Sequence, residues 1–269
     1  LGWWDGSVWD QARVVLPIGF EIRSLEVIDE YLAIGAWRGT SITDSEESYI
    51  FFWDGTATTF NFFIKSEEGA VNALLNSKNR LFSILGSSGG IFLNYSPLQK
   101  VYQIPKLGFN KYCEVYPGAV TVWKNIVHFG VAGSTDSDSL IQGVYQFGSK
   151  SDRYPEALNM GYTISTGTQT GTNLKIGAVK GIGDELYIGW QDGSNYGVDR
   201  VLQTNDPFAS GTIEFLIFDN EIPTKSKMAL SLKAIHKPLA SGESIQLGYK
   251  KDRTSSYTTD TANSTVGDN

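Results

Sequence analysis

The chain has 269 residues, 41% of them hydrophobic, with 22 basic against 29 acidic side chains and a net charge of −7. That apolar content suffices for one large β domain or two smaller ones and argues against disorder. The acidic balance, with no basic stripe, excludes nucleic acid as an expected partner; no run reaches the roughly 18 apolar residues that insert in a membrane, and the single cysteine, Cys113, excludes an internal disulfide and reads as a small buried core residue.

Aromatic residues at 13%, with 29 glycines and two methionines, favour strands and tight turns over helices. The chain opens "LGWWDG", with neither a methionine nor a secretory leader, so Leu1 is not expected to be the natural start. "LGWW" and "WDQARVVLP" read as the last two strands of a preceding unit. Four groups of four strand-like runs follow. They are "EIRSLEVI", "YLAIGAW", "SYIFFW", "TTFNFFI"; "GAVNALLN", "RLFSILG", "GIFLNY", "KVYQIPKL"; "GAVTVW", "IVHFGVA", "LIQGVYQFG", "LNMGYTIST"; and "LKIGAVKGI", "ELYIGW", "YGVDRVL", "TIEFLIF".

The second run of each group begins at Tyr31, Leu81, Ile126 and Leu186, with spacings of 50, 45 and 60 residues. Four strands recurring at such a period are the signature of β-propeller blades. The fold expected is therefore all-β: a partial propeller over residues 1–222, comprising a C-terminal half-blade and about four blades. The rest of the ring lies upstream or is supplied by the chain's far end. Gly35, Gly86, Gly130 and Gly189 recur in the second runs and predict a crowded place where blades converge on a central channel. In the two "WDG" phrases, Asp5-Gly6 and Asp54-Gly55 read as turns between third and fourth strands rather than as catalytic carboxylates.

The rhythm stops after "FDNEIPTKSK". In "IQLGYK", Ile245, Leu247 and Tyr249 alternate with polar residues or glycine, which predicts a strand with one buried face. Residues 223–269 are expected to begin a β-sandwich ending in a polar tail.

Residues with chemical potential are few. His128, inside a predicted strand, reads as a core or channel-lining residue, and His236 stands apart from it, so neither a triad nor a zinc pair is expected. Nucleophile-elbow, phosphate-loop and zinc-protease motifs do not occur, and no cofactor is expected. The candidates for carboxylate pairs of the glycosidase kind are Asp44, Glu46 and Glu47, Asp136 and Asp138, and Asp184 and Glu185, where solvated loop charge is the plainer reading. Asp136 and Asp138 are the candidates for holding calcium with backbone carbonyls, although a full calcium-hand pattern is absent. Most of the seven tryptophans are expected to fill space between blades. Trp37, beside Arg38 at a strand exit, is the one expected to be exposed, and this pair is the candidate binding site.

"LAIGAWRG" with "YIFFWDG", "YGVDRV" after "LYIGWQDGSN", and "PLASGESIQLGYKKD" resemble phrases of β-propeller proteins, followed by a sandwich, in tailed-bacteriophage virions. The resemblance implies a non-enzymatic structural component of the extracellular virion, in the tail, tail tip or a fibre. It would be partnered with other virion subunits as a homo-oligomer in a symmetric assembly and contact a host surface glycan or protein. The resemblance brings no catalytic residues. A secreted or cell-surface glycan-binding or glycan-hydrolysing propeller is the alternative.

Overall fold

A computed structural model of the protein describes residues 1–42, 44–104, 113–133, 142–149, 155–164, 174–202, 239, 241–249 and 258–262. The chain divides into two compact units, Leu1–Asp206 and Pro207–Asn269. The boundary expected at residues 222 and 223, the run "TIEFLIF", and His236 lie outside the described residues.

The first unit is built of antiparallel sheets whose strands follow chain order. Strands β1 (Trp3–Trp4) and β2 (Trp9–Asp10) form a two-stranded ribbon. Sheet 1 contains β3 (Glu21–Ile28), β4 (Tyr31–Gly39), β5 (Ser45–Trp53) and β6 (Phe62–Lys65). Sheet 2 contains β7 (Val71–Ser77), β8 (Arg80–Leu85), β9 (Gly90–Leu93) and β10 (Gln99–Gln103). In sheet 3, β11 (Cys113–Glu114) and β12 (Val120–Trp123) both pair with β13 (Ile126–Gly133), and β14 (Gly143–Gly148) and β15 (Ala157–Tyr162) follow. Sheet 4 contains β16 (Leu174–Ile182), β17 (Glu185–Asp192) and β18 (Asn195–Leu202). The fold is all-β, and two of its sheets have the four-stranded antiparallel form read from the sequence.

Local chemistry fixes the first hairpin of every sheet. Two-residue loops, Asp29-Glu30, Lys78-Asn79, Lys124-Asn125 and Gly183-Asp184, join the first strand to the second. Lys78 and Asn79 have φ of 54° and 57°, and Lys124 and Asn125 have 51° and 63°. Both central residues are thus left-handed, the condition for a type I′ turn whose twist matches that of the strands it joins.

A break recurs in the first strand. The register shifts between Ile22 and Ser24, between Val71 and Ala73, and between Ile176 and Ala178, each time opposite the same place in the second strand. In sheet 3 the break is wider: β11 and β12 flank a 3-10 turn at Pro117–Ala119. Bulges re-aim side chains, and here the extra residues are Arg23, Asn72 and Gly177. All three meet the segment that interrupts sheet 3. Arg23 Nη2 lies 2.7 Å from Glu114 Oε1, with its guanidinium 5.2 Å from the Tyr116 ring centre. The Val115 N–H donates to Asn72 Oδ1 at 3.1 Å, and a Cβ on Gly118 would lie 3.0 Å from the Gly177 carbonyl.

Sheets pack face to face in chain order, the first strand of one lying on the sheet before it. Ile28, Ala33, Ile50 and Phe52 of sheet 1 share a core with Val71, Leu74, Leu81 and Phe92 of sheet 2. Phe82 and Ile84 of sheet 2 meet Phe129 and Phe147 of sheet 3, and Ala119 and Val144 of sheet 3 meet Ile176 and Ile188 of sheet 4. Two of the recurrent glycines, Gly35 and Gly130, belong to this packing. A Cβ on Gly35 would lie 2.6 Å from Val71 Cγ1, and one on Gly130 would lie 2.7 Å from Ile176 Cβ. Gly189 meets only its own sheet, with Ala178 Cβ at 3.5 Å. Gly86 is not equivalent: it follows β8 at φ 75° beside the Glu68 side chain, and Ile84 holds the corresponding place in the strand.

Both WDG aspartates organise turns. Asp54 Oδ1 accepts from the N–H groups of Thr56 and Ala57 at 2.8 and 2.9 Å, while its Oδ2 accepts from Asn61 Nδ2 at 2.8 Å. These donors, led by Ala57 N–H, hold the carboxyl far below its ordinary value. Asp5 accepts in the same way from the N–H groups of Ser7 and Val8. The loop after Trp53 spans residues 54–61, longer than a two-residue hairpin, and Asp54 supplies the bonds that a tight turn would have made.

In the second unit, β19 (Gly248–Tyr249) pairs with β20 (Thr258–Thr259). Ile245 and Leu247 are half-buried beside exposed Gln246 and Gly248, as the alternation predicts, but Tyr249 is exposed.

Candidate functional site

Strand β4 carries Trp37 and Arg38 to the end of sheet 1, where they pair across strands with Ser48 and Glu47. Trp37 is half-buried. Arg38 Nε lies 2.9 Å from Glu46 Oε2, its Nη2 lies 3.4 Å from Glu47 Oε2, and Lys65 Nζ reaches Glu47 Oε1 at 3.3 Å. The Arg38 guanidinium also lies 5.9 Å from the Phe20 ring centre, and Lys65 Nζ lies 5.8 Å from that of Tyr49. The hydrogen bond to Glu47 raises the Lys65 ammonium above its ordinary value. This is a cation–carboxylate ladder running over aromatic rings, and it engages the charge of Arg38 within the sheet. Exposed ladders of this kind contribute little stability.

Three of the other tryptophans reverse the exposure expected. Trp53 is buried at 1%, whereas Trp3, Trp4 and Trp9 are 44%, 55% and 57% exposed. The ribbon, not Trp37, carries the exposed tryptophans among the described residues. Trp123 follows expectation: its ring fills the space over Gly181 of the next sheet, and its Nε1 donates to the Gly183 carbonyl at 2.9 Å.

The carboxylates do not assemble into acid–base pairs among the described residues. Glu46 and Glu47 belong to the ladder, and Asp44 accepts from the Thr40 hydroxyl at 2.6 Å. Asp184 pairs with Lys124 at 3.0 Å, while Glu185 pairs with Arg200 at 2.6 Å and accepts from the Tyr187 hydroxyl. Asp136 and Asp138 lie outside the described residues. No group of three or more His, Cys, Asp or Glu side chains converges among those described, and no helix among them is long and apolar enough to cross a membrane.

One buried carboxylate was missed. Asp199, 8% exposed on β18, accepts from Trp190 Nε1 at 2.8 Å and from the Tyr162 hydroxyl at 3.3 Å. Burial first, and the Asp199 charge second, raise the Tyr162 hydroxyl above its ordinary value. The period of two in "YGVDRVL" places Asp199 on the same face as Gly197 and Val201, which is the signal available in sequence. Its contacts tie sheet 3 to sheet 4.

His128 is a core residue, 2% exposed, with its ring edge-on to Trp123 at 5.4 Å. Its Nδ1 lies 3.0 Å from the Ile126 carbonyl. A carbonyl only accepts, so Nδ1 carries the proton. Burial lowers the imidazole below its ordinary 6.5. The unfolded chain therefore takes up the proton first as pH falls, so the contribution of the neutral ring is fully present above about 6.5 and declines below it. Urea titrations between pH 7.5 and 5 should show stability falling more steeply in the native protein than in His128→Gln, by up to about 1.4 kcal/mol per pH unit. Equal slopes would remove His128 as the source.

An open depression of 260 Å³ beside Ile126, Gln146, Pro155 and Asn159 has no charged lining residue among those described. It is smaller than the roughly 300–1,000 Å³ usual for ligand pockets. A scan against models of protein families finds none that matches the chain, and a search of curated proteins finds no match.

Proposed function

We propose that the chain is a non-enzymatic structural component of a tailed-phage particle, with its sheets forming blades of a closed propeller that serves as an assembly platform or host-contact module. The observation that carries this reading is the use of the chemically capable side chains within the scaffold. Arg38, Glu46, Glu47, Asp184, Glu185 and Asp199 each bond to a neighbouring side chain. The phrases that resemble virion propellers fall on the strands that build the sheets, β4, β5, β17 and β18. In this reading the function is geometric: successive sheets hold loops and strand edges in fixed positions for other virion subunits.

Mass spectrometry of purified extracellular particles tests it, using the peptide "LFSILGSSGGIFLNYSPLQK". Enrichment with particles, at a fixed low ratio to the main shell protein, is the expected result. Recovery only from the soluble fraction would reject the assignment. The exposed Trp3, Trp4 and Trp9 favour a second reading, glycan binding. Saturable binding on a glycan array that is lost in Trp4→Ala and Trp9→Ala would establish it.

A further inference from the structure

Sheet 3 differs from sheets 1 and 2 in one row of side chains. Register places Thr121, His128, Gln146 and Asn159 side by side across β12, β13, β14 and β15. By the period of two they share the face on which Gly130 receives Ile176 of sheet 4. The places held here by His128 and Gln146 are held by Ala33 and Phe52 in sheet 1 and by Phe82 and Leu93 in sheet 2. Those four residues are buried in core clusters. In sheet 3 the row is polar throughout and opens outward, with Gln146 half-buried and Asn159 exposed.

Gln146 and Asn159 line the open depression together with Ile126, Pro155 and Ala157. Neither side-chain amide has a hydrogen-bond partner among the described residues. Gln146 is nevertheless held in place. A Cβ on Gly161, the extra residue where the register shifts between β14 and β15, would lie 2.5 Å from Gln146 Cγ, Cδ and Nε2. The glycine gives the amide a backbone to lie against, so little ordering remains to be done on binding. Each amide offers N–H donors and a carbonyl acceptor. Around them the wall is apolar at Ile126, Pro155 and Ala157, with no charged side chain among the described residues.

We propose that this depression binds a single neutral sugar ring, with neighbouring hydroxyls bonded to Gln146 and Asn159 and the C–H face set on Ile126 and Pro155. A sugar hydroxyl both donates and accepts, so adjacent hydroxyls match a pair of carboxamides, while the ring carbons match an apolar wall. A phosphate, carboxylate or ammonium ligand would meet no counter-charge among these lining residues. A volume too small for a drug-sized ligand suits one ring. The site shares no residue with the ribbon of Trp3, Trp4 and Trp9 and is read without the particle assignment, so it stands or falls apart from both.

The probes are the methyl glycosides of glucose, galactose, mannose and N-acetylglucosamine, titrated into the isotope-labelled 269-residue chain and followed by NMR. N-acetylneuraminic acid and inorganic phosphate are the charged comparisons. At least one neutral glycoside should bind saturably and shift the side-chain amide signals of Gln146 and Asn159. Gln146→Glu and Asn159→Asp keep the shape of each side chain while removing its N–H donors, and together they should weaken binding about tenfold or more. Because Asn159 is exposed, Asn159→Asp alone should keep its Tm within about 2 °C and still bind more weakly, which separates lost recognition from lost fold. Trp4→Ala with Trp9→Ala should bind as the native chain does. Absence of saturable binding by every neutral glycoside, tighter binding of either anion, or affinity lost in the ribbon variant but kept in the Gln146 and Asn159 variants would overturn the proposal.

Discussion

Asn72→Ala is expected to lower the unfolding free energy by about 1–3 kcal/mol, measured as a fall in urea midpoint at unchanged slope. Asn72 is fully buried at the bulge of β7. Its Nδ2 donates to the Gly86 carbonyl at 3.0 Å, and its Oδ1 accepts from the Val115 N–H at 3.1 Å. Alanine leaves the buried Val115 N–H unpaired, at a cost of about 1–3 kcal/mol, while the Gly86 carbonyl keeps the Gly89 N–H at 3.2 Å. Faster amide exchange at Val115 should accompany the loss. Asn76→Ala is the control: Asn76 Nδ2 also bonds between sheets, to the Val27 carbonyl at 3.0 Å, but in contact with solvent. Its effect should stay within about 0.5 kcal/mol. Similar costs for the two variants would refute the role given to Asn72.

Gly130→Ala should destabilise by about 1–3 kcal/mol, although alanine is otherwise favoured over glycine in a strand. The added Cβ would lie 2.7 Å from Ile176 Cβ, which is held by the backbone of the next sheet and cannot swing aside. Ile176→Ala should be less damaging in the Gly130→Ala background than alone, a coupling of about 0.5–3 kcal/mol in a double-mutant cycle. Gly189→Ala occupies the same place in β17 with Ala178 Cβ at 3.5 Å, an ordinary contact. It should be neutral or stabilising. Additive energies in the cycle, or equal losses at Gly130 and Gly189, would show that the glycine is not there to admit Ile176.

Strand order and grouping were legible because they are written locally. The two-residue loops after Ile28, Ser77, Trp123 and Ile182 are short and polar or glycine-containing, and they put strand starts within a residue of those read at Tyr31, Leu81, Ile126 and Leu186. The glycines were visible, but their partners were not: Gly35 and Val71, or Gly130 and Ile176, meet through sheet packing that no local pattern encodes. The bulges were invisible for a related reason. Arg23, Asn72 and Gly177 share a place in their strands but no chemistry, and only register reveals them. Around Trp37, the residues Arg38, Glu46 and Glu47 were legible as separate charges, whereas Lys65 and Phe20 carried no signal of their own. Cross-strand pairing brings Glu47 to Arg38 and joins Lys65 to the same group.

The convergence of three bulges on residues 114–118 has a consequence for synthesis on the ribosome. Arg23 and Asn72 emerge early, yet Glu114 and Val115, which satisfy them, follow 91 and 43 residues later. Sheets 1 and 2 can form their hairpins as soon as their strands are out, since those contacts are local. The Arg23 guanidinium and the Asn72 side-chain oxygen meet these partners only when the interrupted strand of sheet 3 arrives. Translation past residue 118 is therefore the point at which the nascent chain can first tie both early sheets to sheet 3 through these groups.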